Sequence, residues 1–121
     1  MQMLATALVA LVALEHLYFL YLEMFAWTQP STRRVFGLTA EFAQASKSLA
    51  ANQGLYNGFL VAGLVWGLLH PDAAVALQLK YFFLVCVIVA ALYGAYSVKL
   101  RILWVQGLPA IAALAVTFIA R

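Results

Sequence analysis

Charge is what this sequence has least of. Seven Lys and Arg and four Asp and Glu make up 9% of the 121 residues, against about a quarter in a soluble globular domain. With 67% hydrophobic residues and a mean hydropathy of +0.99, that scarcity excludes a water-soluble fold. Cysteine is nearly absent as well. Cys86 stands alone, so no intramolecular disulfide can form, and its place in an apolar run reads as a packed thiol. The first residues lack a basic segment and their apolar stretch runs on too long for a cleavable signal peptide. The basic residues Arg33, Arg34, Lys47, Lys80, Lys99, Arg101 and Arg121 are scattered, which excludes a nucleic-acid-binding patch and reads instead as topology signals at span ends.

What is present is hydrophobic length. The sequence predicts an all-α, integral membrane four-helix bundle with short loops, a single domain over 1–121 with spans at about 4–27, 48–69, 79–98 and 102–120. Four spans of about 20 residues leave about a third of the chain for connections, too little for a soluble catalytic domain. Pro30 and the polar run TQPSTRR stop the first helix. Thr39 is a candidate N-cap with Glu41 in the first turn, so the second helix is expected to start outside the hydrocarbon and enter it near Leu49. HPDA at 70–73 reads as a tight turn, and Pro109 as a kink within the fourth span. The excess of basic residues on the 28–47 and VKLR connections predicts that those face the cytoplasm and both termini face outside.

Against this apolar background the stretch VALEHLYFLYLEMF, residues 12–25, carries two glutamates and a histidine. An ionisable group in hydrocarbon costs several kcal/mol and normally faces the protein interior with a partner. Glu15 and His16 lie roughly 17 Å along the helix from Trp27, near the midplane, and Glu23 about 12 Å beyond Glu15. His16 and Glu23 are seven residues apart and share a helix face, with Glu15 about 100° to one side. These three are the proton-carrying or acid-base candidates. Asn52, Gln53, Asn57, Tyr93, Tyr96 and Gln106 fall at matching depth and are the ligand-binding candidates, which predicts a polar pocket opening to the cytoplasm. Gly54 with Gly58, and Gly63 with Gly67, form two small-xxx-small patterns that let helix backbones approach, within the chain or between copies.

Each residue has a plainer reading. Asn57 and Gln106 can be interhelical hydrogen bonds. The tyrosines and Trp27, Trp66 and Trp104 can be interface anchors. Glu15 and His16 can be a mutually satisfied pair, and Glu23 can pair with Arg33, Arg34 or Lys99. These readings explain single residues more easily than three ionisable groups on one helix.

The segments LEHLYFLYLEMFAW, ANQGLYNGFLVAGL and YGAYSVKLRILWVQGLPA together resemble domain-of-unknown-function family 1304, small bacterial membrane proteins. The resemblance covers nearly the whole chain and matches at Glu15, His16, Glu23, Asn52, Gln53, Asn57, Gly58, Gln106 and Pro109. It implies a four-helix protein of the bacterial inner membrane and supplies no activity.

Three functions compete. The first is proton-coupled transport or binding of a small polar or cationic solute, working as a homo-oligomer in the lipid bilayer, since four helices are too thin to enclose a sizeable pathway. The second is a membrane-embedded enzyme of isomerase or epoxide-opening type, with Glu15 and Glu23 dividing acid and base roles and His16 shuttling a proton. The third is an accessory protein whose polar residues are assembly glue. No cofactor and no metal is expected. Haem or metal through His16 is a secondary alternative, because adjacent Glu15 and His16 diverge by about 100° and His16 to Glu23 spans about 10 Å.

Overall fold

The computed structural model describes residues 1–121. The protein is 87% helical and has no strands. Helix α1 covers Gln2–Phe25, α2 Pro30–Phe36, α3 Ala40–Ala45, α4 Lys47–Leu69 and α5 Ala73–Ser97, and a π-helical turn at Leu103–Gly107 leads into α6, Leu108–Ala120. Three stretches are long and apolar enough to cross a membrane: α1, α5 and the continuous run Leu103–Ala120. Only 22–28% of each crossing window is buried inside the protein. Leu11, Leu14, Val89, Leu92, Phe118 and Ile119 are among the side chains facing outward. A surface of that kind suits hydrocarbon and would drive aggregation in water. Helix α4 has the length of the others at 23 residues, but Asn52, Gln53 and Asn57 dilute its first half, and it does not qualify as a fourth apolar span.

Local chemistry explains the boundaries. The 28–47 connection, in which the sequence predicts a helix start at Thr39, contains two short helices. Pro30 opens α2, where its missing N–H costs nothing. Gly37 closes α2 at φ 69°, a left-handed conformation that glycine adopts without a Cβ penalty. Thr39 caps α3, its Oγ1 accepting from the Phe42 N–H at 3.1 Å, with Glu41 in the first turn. The helix then breaks rather than running on: Ser46 Oγ donates to the Phe42 carbonyl at 2.7 Å, and α4 begins anew at Lys47. Helix α5 starts six residues before the expected span because Asp72 caps it, Oδ1 accepting from the N–H groups of Ala74 and Val75 at 2.9 and 3.1 Å. Near Pro109 the irregularity falls one turn earlier than the proline, as the π turn Leu103–Gly107. Proline removes a helical donor and crowds the preceding turn, and widening that turn accommodates both.

The chain divides into two compact units, Met1–Leu14 with Leu60–Arg121, and Glu15–Phe59. In the first unit Val9, Val12, Ala13, Leu64, Leu84, Val87, Ala110 and Ala113 form one apolar core. Helix α5 packs on α6 and on the π turn. Gly63 faces the Phe83 ring so closely that a Cβ would overlap it. In the second unit Leu22, Ala26, Thr32 and Ala43 are buried, Trp27 packs against Phe36 with ring centroids 5.0 Å apart and planes tilted by 53°, and Trp27 Nε1 donates to Ser46 Oγ at 3.0 Å.

Candidate functional site

The polar chemistry of the second unit begins with a glycine. Ala50, Gly54 and Asn57 lie on one stripe of α4 and are all buried. A Cβ on Gly54 would meet Met24 Cγ at 2.6 Å and Glu23 Cβ at 3.1 Å, so only glycine permits this approach of α4 to α1. One turn on, the approach brings the short Asn57 side chain to Glu23. Asn57 Nδ2 donates to Glu23 Oε1 at 2.5 Å, and Asn57 is 8% exposed. A carboxylate in an apolar surrounding is thereby given one charge-assisted hydrogen bond.

Two turns back along α1, His16 is fully buried and meets the Phe19 ring edge-to-face at 5.3 Å. Its neighbour Glu15 is half-buried, and the Oε1 atom of that carboxylate is enclosed with no hydrogen-bond partner. The two carboxyl groups that α1 brings to the second unit are therefore in different states: Glu23 bonded to an amide, Glu15 with one oxygen unbonded.

Asn52 and Gln53 are exposed and stand off the Ala50–Gly54–Asn57 stripe. Tyr93 and Tyr96, in the first unit, are 69% and 89% exposed. Gln106, also in the first unit, is half-buried in the π turn. Of the glycines, Gly58 approaches Leu20 in the second unit, while Gly63 and Gly67 approach Phe83 and Lys80 in the first. Residues 10–118 match the family model described as "Protein of unknown function (DUF1304)". The chain belongs to that family. It is also 38% identical over 120 residues to "Uncharacterized protein YpaA" of Lactococcus lactis subsp. lactis (strain IL1403), a match spanning 98% of this chain and 99% of that one. No solved structure matches. The family match takes in Glu15, His16, Glu23 and Asn57 together.

Two members of the second unit outside the sequence's candidate site also carry enclosed polar atoms. Thr32 is 1% exposed and its Oγ1 has no partner, and Arg33, read from sequence as a topology charge, is half-buried with an enclosed, unbonded Nε. The signal available was the pair Trp27 and Phe36 flanking a proline-initiated turn, which folds 30–36 back under an indole instead of leaving it as a loop. No three His, Cys, Asp or Glu side chains converge to hold a metal ion. Buried polar atoms are nearly always hydrogen-bonded, so enclosed atoms without a partner are informative exceptions. An acceptor such as Glu15 Oε1 is completed by a proton, a cation or an N–H donor.

Proposed function

We propose that this protein is a multi-pass protein of the bacterial inner membrane, in which the more polar α4 makes a fourth crossing that leaves both ends outside, and that it binds and carries a small cationic or polar solute in exchange for a proton. One observation supports the reading above its competitors. A residue serving as assembly glue is expected to spend its carboxylate on a partner, as Glu23 does on Asn57, yet Glu15 Oε1 is enclosed and unbonded. An unneutralised carboxylate in hydrocarbon costs several kcal/mol. With no donor at Oε1, neutralisation falls to a proton or to the solute, and competition between the two is the basis of exchange. Glu23 and Asn57 then form a fixed polar wall, and His16, buried beside Glu15, is the proton relay. The thin helical scaffold works as a homo-oligomer in this reading.

The test uses protein in lipid nanodiscs titrated calorimetrically with guanidinium, tetraethylammonium and choline, at acidic and at alkaline pH. At least one cation is expected to bind, more weakly at acidic pH because protons compete for the same oxygen, and Glu15→Gln is expected to abolish binding without unfolding the protein. Glue predicts the reverse pattern: Glu15→Gln destabilises and leaves no binding to lose. Equal cation affinity in wild type and Glu15→Gln would overturn the assignment.

A further inference from the structure

At the opposite chemical extreme from Glu15, the first unit contains a cavity of about 350 Å³ where the ends of its helices meet. Lys80, Arg121 and His70 line it, and no Asp or Glu does. Thr117 lines it too, at 2% exposure, with a hydroxyl oxygen that has no hydrogen-bond partner. We propose that this cavity is an anion site that takes a phosphate group, presented by a lipid headgroup or by free phosphate.

The donors are prepared in different ways. The aliphatic stem of Lys80 runs over Gly67, where a Cβ would stand 2.9 Å from Lys80 Cγ; glycine there makes room for the half-buried lysine beside the cavity. Arg121 is held by one donor only, Nη1 to the Phe118 carbonyl at 2.7 Å, with its guanidinium 3.7 Å above the Phe118 ring. The remaining guanidinium N–H groups are uncommitted to that carbonyl, and a planar fork suits phosphate oxygens. His70 Nδ1 accepts from the Asp72 N–H at 3.0 Å, which leaves the proton of a neutral ring on Nε2 as a donor. Ala73, at the start of the 25-residue α5, also lines the cavity, and a helix start favours negative charge. The Asp72 carboxylate is committed to capping α5. Two cations, a histidine donor and an unbonded buried hydroxyl around a headgroup-sized space match the charge and the several acceptor oxygens of a phosphate. The apolar share of the lining, Ala5, Leu68 and Leu77, suits the glycerol and upper acyl carbons of a lipid.

Thermal unfolding separates the possibilities. Full-length protein in a maltoside detergent is melted with inorganic phosphate against chloride at matched ionic strength, and with added phosphatidylglycerol against no added lipid. The variants are Lys80→Met, which keeps the stem over Gly67 and removes the ammonium, and Thr117→Val, which keeps the shape and removes the hydroxyl; each is first melted without ligand to confirm its fold. A midpoint raised by phosphate identifies a free anion as sufficient, and one raised by phosphatidylglycerol alone identifies the lipid. In either case Lys80→Met is expected to weaken binding about tenfold or more and Thr117→Val about threefold or more, as for loss of a charge-assisted and of a neutral hydrogen bond. No stabilisation of wild type in either arm would overturn the site. So would a full effect retained in Thr117→Val, since that would reduce the attraction to unspecific surface charge.

Discussion

The two units solve the problem of an apolar environment in opposite ways. The first is held by shape: Leu64, Leu84 and Val87 are fully buried, and Gly63 and Gly67 admit Phe83 and Lys80 where any side chain would collide. The second is held in large part by polar bonds, Asn57 to Glu23 and Trp27 to Ser46, around small buried side chains. Two long helices cross the division where their composition changes. Helix α1 passes from one unit to the other between Leu14 and Glu15, and α4 between Phe59 and Leu60, so each contributes an apolar half to the first unit and a polar half to the second. Within hydrocarbon, burial of apolar surface carries little driving force because lipid is equally apolar. Close packing and hydrogen bonds remain, and each unit relies mainly on one of them.

The sharpest way to break the first unit is to spoil its fit. Gly63→Leu puts a branched side chain into the space of the Phe83 ring and is expected to cost about 3 kcal/mol, read as a loss in detergent-titrated unfolding. Leu84→Ala opens a cavity in the same core. Because the transfer contribution largely vanishes in lipid, only the packing loss remains, about 2 kcal/mol. An unfolding midpoint unchanged in both variants would show that this core does not set stability.

The second unit breaks by a different route. Asn57→Leu preserves volume approximately but leaves the Glu23 carboxylate without its donor, an expected loss of about 1–2 kcal/mol. Glu23→Leu in the same background should return part of it, since the unpaired acceptor goes too. That recovery distinguishes a bonded pair from two independently packed residues, and its absence in the double variant would argue against the pair.

Part of this was legible from sequence and part was not, for identifiable reasons. The polar residues of α1 and their shared face follow from 3.6-residue periodicity, and the Thr39 cap from its residue type. Hydropathy locates the hydrocarbon span at 79–98 but not the start of α5, because the Asp72 cap extends the helix to Ala73. Asn52 and Gln53 were grouped with Asn57 by depth alone. Depth says nothing of azimuth, and on α4 they leave the buried stripe that Gly54 and Asn57 share. The cavity at Thr117 was invisible for a further reason: Lys80 and Arg121 read as separate span-end charges, and only the fold brings them to one space.

Glu15→Leu sharpens the comparison, because it removes a buried oxygen that lacks a partner. It is expected to raise stability by about 1 kcal/mol while abolishing cation binding, the trade expected where a functional group is kept at the expense of stability. A fall in stability would move Glu15 to the structural side and dismiss the exchange reading.

The smallest effects compare the units directly. Thr32 in the second and Thr117 in the first are both buried with unbonded hydroxyls. In ligand-free protein, Thr→Val at either position removes a desolvated polar atom and should stabilise by a few tenths to about 1 kcal/mol. Adding phosphate or phosphatidylglycerol should then separate them: wild type and Thr32→Val gain further stability, and Thr117→Val gains less. The sign reverses at Thr117 alone because its hydroxyl acquires a partner only when the anion is present. If both valine variants gain equally, the two threonines are equivalent packing residues and the first unit has no use for its hydroxyl.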